Sequence, residues 1–482
     1  MRRTLRWRRR YCDLGPALLL DSGQAQADAC GHIAENPMTT RRRLLTRTAC
    51  TVFGAGLPLA SRPAQDRFAP YRGQTVVISI PEHPHYLAML QLLPAFTEAS
   101  GIKVEVMKDP ILRMKPIQLR ELANPQGQMD LVCYVVMWKT EYVSKGLLQP
   151  LAPFFANPAL ADPAFQIHDI VPGYLANLGL VGGPKGYLPG AGAVLYGLPY
   201  GAETSILAYR RDVFAKLNLQ PPATYAELRA LLPLLRDKAG MGALATRSEL
   251  GHQCVHAWLL HLNPMGGHMF DDHWRPTFQN AIGVQALQLL KEIVDTGPTG
   301  AIDLNQGDMM KSFLTGESAM YLDSTVIFGP VKASNSKIDG KVSYALHPTG
   351  QRNSSQSGGL GLAIPRHARN ADAAFLLMQW LTSAAQDKAV SRLGGAPTRM
   401  STLVDVDLVR QYPEYITLKE QLRYADPDWR PIIAPWDEIN QGPLGAAVHQ
   451  SIKGAKPASQ ALHDIVPRVN GIMRSAELLK DG

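Results

Sequence analysis

YGLPYGAETSILAYRRDVF, from Tyr196 to Phe214, is the stretch that decides how this chain folds. Leu198-Pro199-Tyr200-Gly201 opens it as a tight aromatic turn, because proline fixes φ and glycine accepts φ > 0. Glu203, Thr204 and Ser205 follow as a small polar segment, and Ile206-Leu207-Ala208-Tyr209 continues as an apolar run. Asp212 and Val213-Phe214 then open a short helix. Taken alone, this is one β-strand leaving a turn. Its position adds weight, because a polar, aromatic-flanked crossover here falls between two α/β halves.

The chain has 482 residues, beyond the roughly 250–300 at which a single core splits, so two domains are expected. Apolar residues make up 46% and charged residues 19%, the mixture of an ordinary globular protein. The formal charge of +8 is not spread evenly. Eleven arginines against four acids put residues 1–64 at +7, while the rest of the chain, with 38 basic and 37 acidic residues, is at +1. The body therefore makes no electrostatic case for nucleic acid. Cys12, Cys30 and Cys50 lie in the basic leader, and no CxxC pair serves zinc or redox work. Cys133 sits in an apolar run and reads as a buried thiol, with a Cys133–Cys254 disulfide as the alternative.

Residues 1–64 read as a leader. Thr40-Arg41-Arg42-Arg43-Leu44-Leu45-Thr46 resembles the twin-arginine export signal, followed by an apolar region from Ala49 to Ala60 and a small-residue cleavage site near Pro58-Leu59-Ala60. That region is shorter than the ~20 residues of a membrane span. Arg47 stands where a lipoprotein signal has an apolar residue, so Cys50 is not expected to carry lipid. Met38 is a more natural start than Met1. The resemblance implies export of the folded body by the twin-arginine translocase.

The body opens with Thr75 to Ile80, a β-branched run closed by Pro81. Leu87, Leu90, Leu93 and Phe96 mark one face of a helix that Gly101 caps, and Ile102 to Val106 makes a second strand. This βαβ order predicts a parallel sheet, with the loop Glu82 to Tyr86 at the carboxyl end of its first strand, where open α/β sheets bind ligands. Leu131 to Trp138 is a continuous apolar run suited to a strand buried on both faces. Thr224-Tyr225-Ala226-Glu227 is a capping box opening a helix to Lys238. Further helices are expected around Val284 to Val294, at Gln306 to Thr315 and at Ala371 to Thr382. Ala319 to Asp323 reads as a strand.

Catalytic and metal patterns fare poorly. His83-x-His85 has no third ligand nearby, and in the His252/His256 pair Gln253 stands where a zinc protease has glutamate. His252, His256, His261, His268 and His273 are expected to decorate surface and cleft walls. Gly359-x-Gly361 lacks the third glycine of a dinucleotide loop, since Ile364 takes its place. A carbohydrate-active enzyme needs two carboxylates across a cleft, and Asp271-Asp272 has no supporting pattern. No serine elbow, metalloprotease or phosphate-loop motif occurs.

The wording of the chain resembles family 1 extracellular solute-binding proteins, the sugar-binding subunits of ABC importers. Six phrases carry the resemblance in order: Asp130 through Trp138 to Gly146-Leu147-Leu148; Tyr196 to Phe214; Pro222 to Glu227; Gly316 to Met320; Gly394 to Arg399; and Arg430-Pro431 through Trp436 to Asn440. It spans residues 70–475, and Leu360 departs from a common tryptophan. It implies a type II-like periplasmic-binding-protein fold, α/β and two-lobed, with hinge crossovers and a ligand cleft between the lobes. Lobe 1 would comprise 70–199 and 324–382, and lobe 2 would comprise 200–323 and 383–482. A periplasmic monomer is expected, delivering a sugar or polyol to ABC permease subunits, with no cofactor, metal or catalytic residue. Flat polyhydroxyl ligands need aromatic faces and polar hands. Tyr86, Trp138, Tyr200 and Trp436 are candidates for the first; Glu82, His85, Glu203, Asp323 and Arg399 for the second, with the Gly359 backbone beside them. The alternatives are a secreted carbohydrate-active enzyme and a binding protein that feeds a sensory receptor.

Overall fold

The computed structural model describes residues 66–480; the expectations for the leader and its arginine pair lie outside them. From Phe68 onward the chain forms one compact unit. Strand β1 (Thr75–Pro81) runs parallel to β2 (Lys103–Asp109) and β3 (Leu131–Val135), as the βαβ reading requires. The apolar stripe from Leu87 to Phe96 is split between two helices, Pro84–Leu90 and Leu93–Ser100. Pro94 explains the break: it fits the first turn of a helix, where its missing N–H costs nothing, but not a helix interior. Gly101 closes the second helix at φ 71°. Thr224 and Glu227 form the expected capping box on helix Tyr225–Ala239.

The stretch that opens at Tyr196 contains no turn. After the short hairpin of β4 (Leu180–Val181) and β5 (Val194–Leu195), one unbroken strand, β6, runs Gly197–Arg210. It is followed by β7 (Gly242–Ala245), β8 (Ser318–Ser324), β9 (Val342–Ala345), β10 (Ser355–Ala363) and β11 (Ala425–Asp426). A single mixed sheet has the order β2-β1-β3-β10-β6-β8-β7, with β11 beside β10 and β9 beside β6. The first half of β6 pairs antiparallel with β10, and its second half with β8 and β9. Gly201 does take positive φ, 80°, but inside the strand, next to Ala202, which pairs with Gly359 at φ 92°. The register slips between Gly359 and Gly361, and a Cβ on Gly359 would stand 2.4 Å from the Gly201 carbonyl oxygen. The two glycines thus make a bulge in two paired strands, which bends and twists them.

The strand changes core at this bulge. Leu198 and Tyr200 pack in a first core with Val76, Ile78, Leu131, Leu362 and Phe375. Ala202, Ile206 and Ala208 pack in a second with Trp258, Leu287, Tyr321 and Trp436. Leu207, on the alternate face, belongs to a third with Leu228, Leu244 and Met320. Cys133 and Cys254 are both buried and free, so the disulfide alternative falls. Among the described residues no helix is long and apolar enough to cross a membrane.

Candidate functional site

Just past the bulge, Glu203 holds together three separate elements. Its Oε1 lies 3.2 Å from Nε2 of His83, in the loop after β1, and its Oε2 accepts from the Ser324 hydroxyl at the end of β8. His83 Nδ1 accepts from the His85 backbone N–H, so Nε2 is the nitrogen that donates to the carboxylate. Burial pushes the Glu203 carboxyl up, but the His83 and Ser324 hydrogen bonds and the field of Arg247 outweigh it and hold it below its usual value. One residue before Ser324, Asp323 takes a two-pronged ion pair from Arg247, with Nε at 2.9 Å. His256 Nε2 stands 3.6 Å from the same carboxylate, too far for a hydrogen bond.

Behind this pair lies a group with unanswered polar atoms. His256 sits edge-on to Trp429 with centroids 5.3 Å apart, and the Arg430 guanidinium lies 4.7 Å over the Trp429 ring. His252 packs on His256 and meets the Asn440 amide through Nδ1 at 3.0 Å. Both nitrogens of His256, Nε of Arg430, Oδ1 of Asn440 and Nε1 of Trp436 are buried without a hydrogen-bond partner. Buried polar atoms in folded proteins are mostly paired; others here also lack partners, His85 Nε2 and the Tyr200 hydroxyl among them, but the concentration around His256 marks a place built to receive something. Burial keeps His252 neutral, with its pKa lowered to about 3, and lowers His256 further, helped by Arg247. Burial and Arg247 also lower Arg430, to about 10. Lys115, bonded to Glu141 at 2.7 Å and to Asp437, ties helix Ile111–Ala123 to helix Trp436–Gln441 beside this group.

Of the residues named from sequence, Glu203, Asp323 and Trp436 join this arrangement and Gly359 shapes the bulge next to it. The others do not. Glu82 is exposed, 3.9 Å from Lys108. His85, Tyr86 and Tyr200 spend their faces on one another, with His85 and Tyr200 centroids 4.3 Å apart. Tyr86 donates to the Tyr200 carbonyl at 3.0 Å, and His85 accepts from the Ala396 N–H at 3.0 Å. Arg399 is fully enclosed and gives its donors to the carbonyls of Thr382, Phe165 and Gln166 and to Asp169. The histidines on helix His252–Leu262 are not surface decoration either, since His256 and His261 are interior. Sequence reasoning weighed His83 only as half of a metal pair, quoted Arg430 and Asn440 only as the ends of a family phrase, and passed over Arg247 and Trp429 altogether. The i, i+4 spacing of His252 and His256 was the one usable signal for a shared face; Arg247 offered none.

Trp138 is only 4% exposed, sits in the first core and tilts against Tyr142, with centroids 6.3 Å apart. Trp138, named from sequence as a ligand platform, thus packs in the first core. Trp138→Ala should lower the unfolding free energy by about 3 kcal/mol, the cost of emptying an indole site in a packed core. Urea unfolding checks this, and an unchanged midpoint would return Trp138 to the ligand.

The family model described as bacterial extracellular solute-binding protein matches residues 82–388 of this chain. A probable amino-acid ABC transporter periplasmic-binding protein of Sinorhizobium fredii is 26% identical over 459 residues, covering 91% of this chain and all of that one. The mannitol-binding protein of Pseudomonas aeruginosa is 27% identical over 378 residues, 75% of this chain and 82% of that one. Among solved structures, an ABC transporter solute-binding protein of Agrobacterium radiobacter in complex with ribitol superposes with a TM-score of 0.74 at 23% identity, over 83% of this chain and 98% of that one. That likeness establishes the shared two-lobed α/β fold.

Proposed function

For a chain that belongs to the bacterial extracellular solute-binding protein family, we propose capture of a sugar or polyol in the periplasm and its delivery to the permease subunits of an ABC importer. The observation that carries this reading is the set of buried, unanswered donors and acceptors on His256, Arg430, Trp436 and Asn440, beside strands shared by two cores. Hydroxyl groups both donate and accept, so a polyol answers such a mixed set, while the Trp429 and Trp436 rings suit its C–H faces. We assign 70–199 and 324–382 to one lobe and 200–323 and 383–482 to the other, with closure about β6 and β10. The similar mannitol-binding protein supports the ligand class. The protein acts as a monomer that leaves its ligand chemically unchanged, as a solute-binding protein does, and reaches the periplasm through its twin-arginine leader.

The similar amino-acid relative favours a second reading. An amino acid brings an ammonium group, which needs an available carboxylate. Glu203 and Asp323 are already held by His83, Ser324 and Arg247, and this weighs against it.

Native mass spectrometry of freshly purified protein, followed by thermal unfolding with a panel of sugars and polyols, tests the proposal. The right ligand at a hundredfold excess over its Kd should add about 2.7 kcal/mol and raise the Tm by several degrees. A panel in which no sugar or polyol is retained or shifts the Tm, while an amino acid does, would sink it.

A further inference from the structure

We propose that the ligand is a sugar acid, a polyol chain ending in one carboxylate, and that Arg430 holds that carboxylate. The inference rests on the sugar or polyol reading of the same site. Arg430 is 4% exposed, its Nε has no partner, and among the described residues no Asp or Glu forms an ion pair with it. Its guanidinium reaches the crossing strands, since a Cβ built on Gly358 of β10 would lie 3.6 Å from Nη2.

The charges around it are otherwise accounted for. Arg247 is matched by Asp323, Glu203 is held by His83 and Ser324, and Asp437 is held by Lys115. Arg430, a side chain that does not shed its proton, is left with no carboxylate bonded to it: Glu203 and Asp437 favour its charge only from beyond ion-pair distance. A buried guanidinium without a bonded carboxylate is unfavourable, and the neighbouring Arg247 makes it more so, against the help of Asp437 and Glu203. A neutral polyol would hydrogen-bond the fork but give it no bonded anion. A single carboxylate matches both the charge and the planar two-pronged geometry of guanidinium. The remaining unanswered atoms, on His256, Trp436 and Asn440, then face the hydroxyls of the chain.

Isothermal titration calorimetry with matched pairs separates this from the broader reading. The pairs are D-gluconate with D-glucitol, D-mannonate with D-mannitol, D-ribonate with ribitol and D-erythronate with erythritol, each differing only in whether one end is carboxylate or alcohol. The expected result is that one acid binds roughly a hundredfold tighter than its alcohol, the scale for pairing or orphaning a buried charge. Arg430→Gln, checked for folding by its melting curve, should abolish most of that preference, lowering the affinity for the acid far more than that for the alcohol. Alcohols binding as well as or better than acids would overturn the sugar acid and leave the sugar or polyol function standing. Acid preference that survives in Arg430→Gln would also overturn it. Failure of every pair to bind would overturn the sugar acid, and the panel of sugars and polyols would then decide the broader reading.

Discussion

Acidification from pH 7.5 to pH 5 is expected to remove several kcal/mol from the stability of the folded protein. His85, His252, His261 and His347 are held neutral by burial, with pKa values lowered to about 3, and His256 is held lower still. In the unfolded chain each returns to about 6.5. Above that value both states are neutral there and the histidines make no difference. Below it, the unfolded state takes up protons that the native state refuses, so stability falls with pH from about 6.5 down towards 3. Each group costs up to about 1.4 kcal/mol per pH unit in that window, hence about 2 kcal/mol per histidine at pH 5. Asp387, Asp426 and Glu414, whose carboxyls burial raises, work in the opposite direction, taking up protons in the native state as the pH falls through their raised values. They are fewer. Urea midpoints at pH 7.5, 6 and 5 measure the sum. A midpoint that does not move between pH 7.5 and 5 would show that these rings are protonated or exposed in the native state.

Arg399→Met should be among the most damaging single substitutions in the body, lowering stability by about 5 kcal/mol. The side chain is completely buried, lies 4.7 Å over the Phe165 ring and bonds three carbonyl oxygens at 2.7, 2.9 and 3.0 Å. Asp169 stands 3.2 Å from it, its carboxyl pushed up by burial but held below its usual value by Ser401 and by Arg399. Methionine keeps the volume and removes every donor, stripping the Thr382 and Phe165 carbonyls of this partner and leaving Asp169 with Ser401 but no cation. The Tm should drop by on the order of 10 °C, while ligand affinity of the folded protein changes only a few-fold. Loss of affinity at an unchanged Tm would place Arg399 at the ligand instead, as its Gly-Gly-x-Pro-x-Arg phrase suggests.

The contrast between Arg399 and Arg430 shows why the site was harder to read than the fold. Both are arginines in loops beside a proline, and nothing in either neighbourhood says which one ends among backbone carbonyls. Trp138 and Trp436 pose the same problem, since an indole at a strand end or a helix start packs in a core or lines a cleft with the same residues around it in sequence. Those outcomes depend on which atoms arrive from elsewhere in the chain. His256 is brought to Trp429, and Ser324 to Glu203, only when the long strands have paired.

By itself the sequence determined what short-range physics controls. The β-branched run at Thr75, the glycine stop at Gly101 and the Thr224–Glu227 capping box all formed as read, because their causes lie within a few residues. The order of strands and helices, and with it the α/β class, followed. Tertiary structure alone decided that Pro199-Tyr200-Gly201 is the middle of a strand and not a turn. Gly201 takes positive φ in either case, but β10, far along the chain, supplies hydrogen bonds to β6 and turns the irregularity into a bulge facing Gly359. The unbonded guanidinium of Arg430 has the same origin, because a missing carboxylate partner is a property of everything packed around a residue and is written in no single stretch of sequence.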